Sequence, residues 1–195
     1  MLGIEMRDCE TLQLDKENWY MQSLTKEETT DQDKLLGLTT TCAKFIKRSL
    51  IEKNNIRFDV IRFHEDTVFM TKVALVQSTM MVCPNDMWYV WAIRHGSLTN
   101  TFTKEEEILH FQTDLQKFIM VKTSGLHHHL GNYQMEHLRN IRIMTLCEQM
   151  PIIVKMWSHG MLFNKSKYDP VSVSVVLKTL LHTIWKGLKN SFNNK

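Results

Sequence analysis

Seven glycines and three prolines in a chain of 195 residues set the first limit on what it can fold into. So few permissive backbone positions exclude a glycine-rich nucleotide loop, a collagen repeat and a proline-rich recognition tract. The length suits one domain, or one domain with a tail, because single cores grow comfortably to about 200 residues. With 43% hydrophobic and 23% charged residues, the chain can build an ordinary packed core.

The opening residues, MLGIEMRDCE, contain no basic stretch followed by an apolar one, and no secretory signal is expected. Apolar runs such as 87–93 are far shorter than the roughly 20 residues that span a bilayer, so no transmembrane segment is expected either. Cys9, Cys42, Cys83 and Cys147 are scattered, without the paired spacing of a zinc ribbon. They read as reduced thiols of an intracellular protein, cytoplasmic or nuclear.

Charge is distributed unevenly. Residues 1–33 carry nine acids against three bases, a net of −6, so the rest of the chain holds +9 behind an overall +3. An acidic leader on a basic body either shields that body or stays solvated as a separate arm. Residues 1–33 are therefore expected to form an acidic, partly disordered N-terminal segment.

Hydrophobic period gives the expected elements. From Asp33, a suitable N-cap, Leu35, Leu38, Cys42, Phe45/Ile46 and Leu50 recur at helical spacing. The period then changes to two: Ile56, Phe58 and Val60 alternate with Arg57 and Asp59, and a β-branched run follows at 67–76. A third strand is expected at 87–95, after the turn residues Pro84, Asn85 and Asp86, with both faces apolar and covered. On periodicity alone, 67–82 fits a helix as well as a strand.

The second half reads as helical. Thr103 and Glu106 suit a capping box ahead of the stripe Ile108, Phe111, Leu115, Phe118 and Ile119. Asn132 can cap a helix through Leu138, Ile141, Leu146 and Met150, which Pro151 kinks or breaks. Asp169 and Pro170 can open a last helix, with Leu177, Leu180, Leu181, Ile184 and Leu188 facing the core. The expected fold is a single α+β domain over 34–195: one helix, a small antiparallel sheet over about 56–95, and a helical C-terminal half packed on it.

Chemistry is harder to read. His127, His128 and His129, followed by Glu136, His137 and Cys147, are ligand-capable, but their spacing matches no familiar zinc site. A loop link is the plainer reading, and no metal or cofactor is assigned. His64, Asp66 and Asp86 sit at expected turns, where carboxylates of metal-dependent nucleases hold divalent ions. Turn hydrogen bonding explains the same residues. No nucleophile elbow or catalytic cysteine signature occurs. Trp88 and Trp91 with Arg94 resemble a base-stacking set, though aromatic residues on a covered strand are usually core. The 13 methionines suit an adaptable core or partner surface, with Met80, Met81, Met156 and Met161 as candidates for an exposed apolar interface.

Residues 117–195 carry a net of +8, with Arg139, Arg142, Lys165, Lys167, Lys186 and Lys189 on expected polar faces. Such a surface can track phosphates, so these six are the candidate nucleic-acid contacts. The expected function is a non-enzymatic interaction module that binds a protein partner, with RNA or DNA as a second class of partner and self-association left open. The alternative is a metal-dependent hydrolase or nuclease using His64, Asp66 and Asp86.

Overall fold

In a computed structural model, residues 35–37, 40–42, 44–61, 64–77, 79–80, 103–131, 133–167 and 170–193 are described in full. Residues 2–8, 27–29, 32–34 and 81–93 are described by backbone alone. The described residues are mostly helical, which overturns the expected α+β domain with an antiparallel sheet over about 56–95. The helices are α1 (Gln32–Gly37), α2 (Arg48–Lys53), α3 (Glu65–Val76), α4 (Lys104–Thr123), α5 (Tyr133–Asn140), α6 (Leu146–Ser158) and α7 (Val173–Asn193).

Residues 56–61 are an irregular connection. Ile56 joins Phe69, Met70 and Val73 in a small apolar cluster, and the ring of Phe58 stacks on Phe69 at 4.0 Å. Asp59 pairs with Lys72 of α3 and accepts a hydrogen bond from Gln116 Nε2 of α4 at 2.9 Å. The alternation at 56–60 thus records contacts with helices, without a neighbouring strand. Residues 67–76 lie in α3, where Thr67, Val68, Phe69, Met70, Thr71, Val73 and Ala74 are all buried. A helix apolar on nearly every side has no 3.6 period to read. Glu65 and Asp66 occupy its first turn, where they complement the positive helix end.

Extended backbone at Met80–Ile93 pairs in parallel with Leu2–Asp8 and antiparallel with Glu27–Thr29. This mixed ladder is not the expected sheet, and the surroundings of residues 87–95 lie outside the described side chains.

The single helix expected from Asp33 is split into α1 and α2. Thr40 Oγ1 accepts from the Cys42 amide at 3.1 Å, and Lys44 Nζ donates to the Thr40 carbonyl. A threonine run that satisfies its own backbone, and whose β-branches crowd a helical turn, stops α1.

Helix α4 opens with the expected capping box: the Glu106 amide donates to Thr103 Oγ1 at 3.2 Å, and the Thr103 amide donates to Glu106 Oε2 at 2.9 Å. Phe111, Leu115 and Phe118 are buried as expected, whereas Ile119 is exposed. Helices α5 and α6 are separated by a 3-10 turn at Ile141–Ile143, and a second capping box, Thr145 with Glu148, starts α6. Pro151 lies inside α6 without ending it. Pro151 and Cys147, whose carbonyl loses its helical partner, are both exposed, so the missing bond falls on the solvent side of the helix.

The main core gathers Leu35 and Leu36 of α1 with Phe111, Phe118, Leu138, Ile141 and Met144. Met156 and Met161, expected at an exposed interface, belong to this core. Polar side chains fix α7 on it. Thr183 Oγ1 donates to the Leu138 carbonyl at 2.6 Å, and Asn190 Nδ2 donates to the carbonyls of Arg142 and Met144 at 2.9 and 3.2 Å. Gln149 Nε2 donates to the carbonyls of Ile141 and Met144 at 3.1 and 3.2 Å, and Gly187 of α7 lies against it.

A Cβ at Gly187 would fall 2.4 Å from Gln149 Oε1. Gln149 is buried and bonded to two carbonyls, so swinging aside would break both of its hydrogen bonds. Gly187→Ala is expected to lower stability by about 1–3 kcal/mol, read as a reduced denaturant midpoint. An unchanged midpoint would show that α6 and α7 do not meet this closely.

Candidate functional site

Glu107, His110 and Asp114 stand on one face of α4, at positions i, i+3 and i+7, and α5 brings His137 opposite them. His137 is 0% exposed, Glu107 1% and Asp114 5%. His137 Nδ1 lies 2.7 Å from Glu107 Oε1, and Nε2 lies 3.1 Å from Asp114 Oδ2. The same Asp114 oxygen is 3.3 Å from His110 Nε2. Asn140, one turn beyond His137, donates from Nδ2 to Glu107 Oε2 at 3.0 Å.

Three imidazoles lead from the surface to this centre. His64 is exposed and precedes α3 in the left-handed region (φ 57). Its ring stacks on half-buried His110 at 4.4 Å, and the His110 ring meets His137 edge-on at 5.3 Å. Lys117, one turn beyond Asp114, is also buried; its Nζ donates to the Leu36 carbonyl at 3.2 Å and to the Tyr133 hydroxyl at 3.1 Å.

Burial alone would push His137 toward the neutral form. Its hydrogen bonds to Asp114 and Glu107, reinforced by their charges, override that and raise its pKa to about 9. Burial likewise works against the Asp114 carboxylate, yet His137, His110 and Lys117 together hold it below the usual carboxylate range. The centre therefore contains an imidazolium bridging two carboxylates of α4. It can also ligate: one donor atom each from Glu107, His110 and His137 lie within 4.8 Å of one another.

The residues singled out by sequence fall in different places. His64 joins the cluster, Asp66 lies half-buried in the first turn of α3, and the side chain of Asp86 is outside the described residues. His127–His129 form a 3-10 turn, in which the His127 carbonyl accepts from Asn164 Nδ2 and the His128 carbonyl from the Lys167 amide. Arg139, Lys165, Lys167 and Lys189 are exposed, and Lys186 is half-buried. Arg142 is half-buried against α7, with Nε 3.4 Å from Thr183 Oγ1. These six cations are spread over α5, the 3-10 turn after it, the connection before α7, and α7 itself. Arg94 and the side chains of Trp88 and Trp91 lie outside the described residues.

Sequence reasoning missed Glu107, His110 and Asp114. The signal was present: Glu107 precedes Phe111 by four residues, and Asp114 precedes Phe118 by four. Both acids thus share the face of the apolar stripe. Acids in line with core phenylalanines are buried, and buried acids need partners.

His137 links stability to pH. Its pKa is about 9 in the folded protein against a usual 6.5, so its contribution is complete below about pH 6.5 and is lost as pH rises through about 9. In the presence of EDTA, stability is expected to fall across that window. His137→Leu removes the dependence and costs on the order of 3–5 kcal/mol by leaving Glu107 and Asp114 buried without it. A flat profile from pH 6 to 10 in denaturant titrations would contradict the bridging imidazolium. Comparison with protein-family models, curated proteins and solved structures finds no match.

Proposed function

We propose that the chain is a non-enzymatic interaction module whose helix α7 receives an acidic amphipathic helix of a partner protein. The observation that supports this reading is a second apolar stripe on α7. Val176, Thr183 and Gly187 are buried, with Leu180 and Ile184 half-buried beside them. Leu177, Leu181, Trp185, Leu188 and Phe192 recur at steps of four, four, three and four, and all are exposed; Leu181 is 66% exposed, Trp185 54% and Phe192 73%. The two stripes are neighbours on the helix, so the apolar arc is about twice as wide as one core contact requires. The expected core-facing set is thereby corrected: Leu177, Leu181 and Leu188 face outward. An exposed apolar face rimmed by polar residues is a mark of partner binding.

Charge selects the partner's chemistry. Helix α7 carries Lys178, Lys186 and Lys189 and no acid, and the Lys186 and Lys189 ammonium groups lie 5.5 and 5.9 Å from the Trp185 ring centroid. A helix with apolar anchors flanked by glutamates complements this edge. A second copy of the chain would set the same lysines against one another. No helix among the described residues is long and apolar enough to cross a membrane.

The test uses a labelled model peptide with leucines at heptad spacing and flanking glutamates. It is expected to bind the full chain, and Leu181→Asp or Trp185→Ala to weaken binding by at least about tenfold, or 1.4 kcal/mol. Leu181→Asp is expected to keep its unfolding free energy within about 0.5 kcal/mol of the parent. Equal binding of a lysine-flanked peptide, binding of single-stranded RNA in place of the peptide, or unfolding of Leu181→Asp would each contradict the proposal.

A further inference from the structure

We infer that Glu107, His110 and His137 form a binding site for one divalent transition-metal ion of the zinc class, independent of the α7 face. Two imidazoles and a carboxylate, with one donor atom from each within 4.8 Å of the others, are a donor set for borderline cations such as Zn2+. Magnesium and calcium favour all-oxygen shells.

What distinguishes this cluster from a chance meeting of side chains is the support behind each ligand. Metal-bound histidines characteristically give their second ring nitrogen to a carboxylate, which fixes the tautomer and orients the ring. Here one oxygen, Asp114 Oδ2, faces Nε2 of His137 at 3.1 Å and Nε2 of His110 at 3.3 Å. A single buried carboxylate thus contacts both imidazoles, and Nδ1 of His137 is directed at Glu107. Asn140 holds the other Glu107 oxygen at 3.0 Å, leaving Oε1 to the centre. His64 stacks on the outer face of His110 and limits its rotation.

The space needed is small. Glu107 Oε1 and His137 Nδ1 are 2.7 Å apart. An ion about 2.0–2.2 Å from each, in tetrahedral geometry, takes the place of the Nδ1 proton, which leaves to solvent, and needs the two atoms to part by roughly 0.6–0.9 Å. The side chain of His110 keeps 27% of its surface in contact with solvent, so an ion and a fourth, water ligand have a way in. The fourth position is the open one characteristic of metal sites that bind or activate a small molecule.

The experiment is titration of the tag-free, EDTA-treated full chain with Zn2+ alone and with Co2+ alone. One ion per chain is expected, with Co2+ giving the visible bands of a nitrogen and oxygen shell and no thiolate charge-transfer band. His110→Ala removes a partly exposed ligand outside the bridging pair, so the chain is expected to stay folded by circular dichroism and to lose the site. Asp114→Asn keeps the shape of the orienting group and is expected to weaken Zn2+ about 10–100-fold. The triple variant His127→Ala, His128→Ala, His129→Ala is expected to leave stoichiometry and affinity unchanged. No binding, binding that survives His110→Ala, binding lost in the triple variant, or a thiolate band pointing to Cys147 would each overturn the inference.

Discussion

The arrangement of the helices depends on one buried imidazole. His137 on α5 meets Glu107 on one side and Asp114 on the other, and both belong to α4. Neither acid can remain ionised at this depth without a partner, and an isolated imidazolium there would be equally unfavourable. The register between α4 and α5 is thereby set by charge, since sliding either helix by one turn separates the pair. Lys117 extends the same logic toward α1, because its ammonium group near Asp114 reaches the carbonyl that ends the Leu35–Leu36 contact. Apolar packing of Phe111 and Phe118 supplies the bulk of the core; the polar bridge makes one alignment much better than its neighbours.

From α5 the constraint passes to α7. Leu138, next to His137, gives its carbonyl to Thr183, and the turn that follows gives two carbonyls to Asn190. Helix α7 is therefore located by hydrogen bonds to the terminal carbonyls of a short helix and a 3-10 turn, and by the close approach at Gly187. A helix held by this narrow set of polar anchors needs only part of its circumference for the fold. The rest is free to carry Leu181, Trp185 and Phe192 beside three lysines, which is the basis for assigning it to a partner.

Much of the helical half was legible in the sequence. Thr103 and Glu106 marked the start of α4 because reciprocal capping has a fixed spacing. Residues 56–76 were not legible. A helix buried on nearly all sides has no period to separate it from a strand, which left 67–82 open between the two, and residues reaching sideways to Phe69 and Lys72 imitate alternation at 56–60. Pro151 drew attention away from Thr145, whose capping box is the real boundary of α6. The His/carboxylate centre was hidden because His137 lies 23 and 30 residues from its two carboxylates and the set lacks a named motif, although Glu107 and Asp114 stood on the stripe of Phe111 and Phe118. Exposure of the second α7 stripe could not be read either, since an apolar arc does not say which half meets the core.

The state of the His137 ring carries most of this description, and long-range proton–nitrogen NMR of the imidazole reads it directly. With EDTA present at pH 7, both ring nitrogens of His137 are expected to be protonated, each coupled through a hydrogen bond to a carboxylate of α4. A neutral ring at pH 7, with one unprotonated nitrogen, would show that Glu107 and Asp114 do not share an imidazolium, and the charge-set register of α4 and α5 would fall with it.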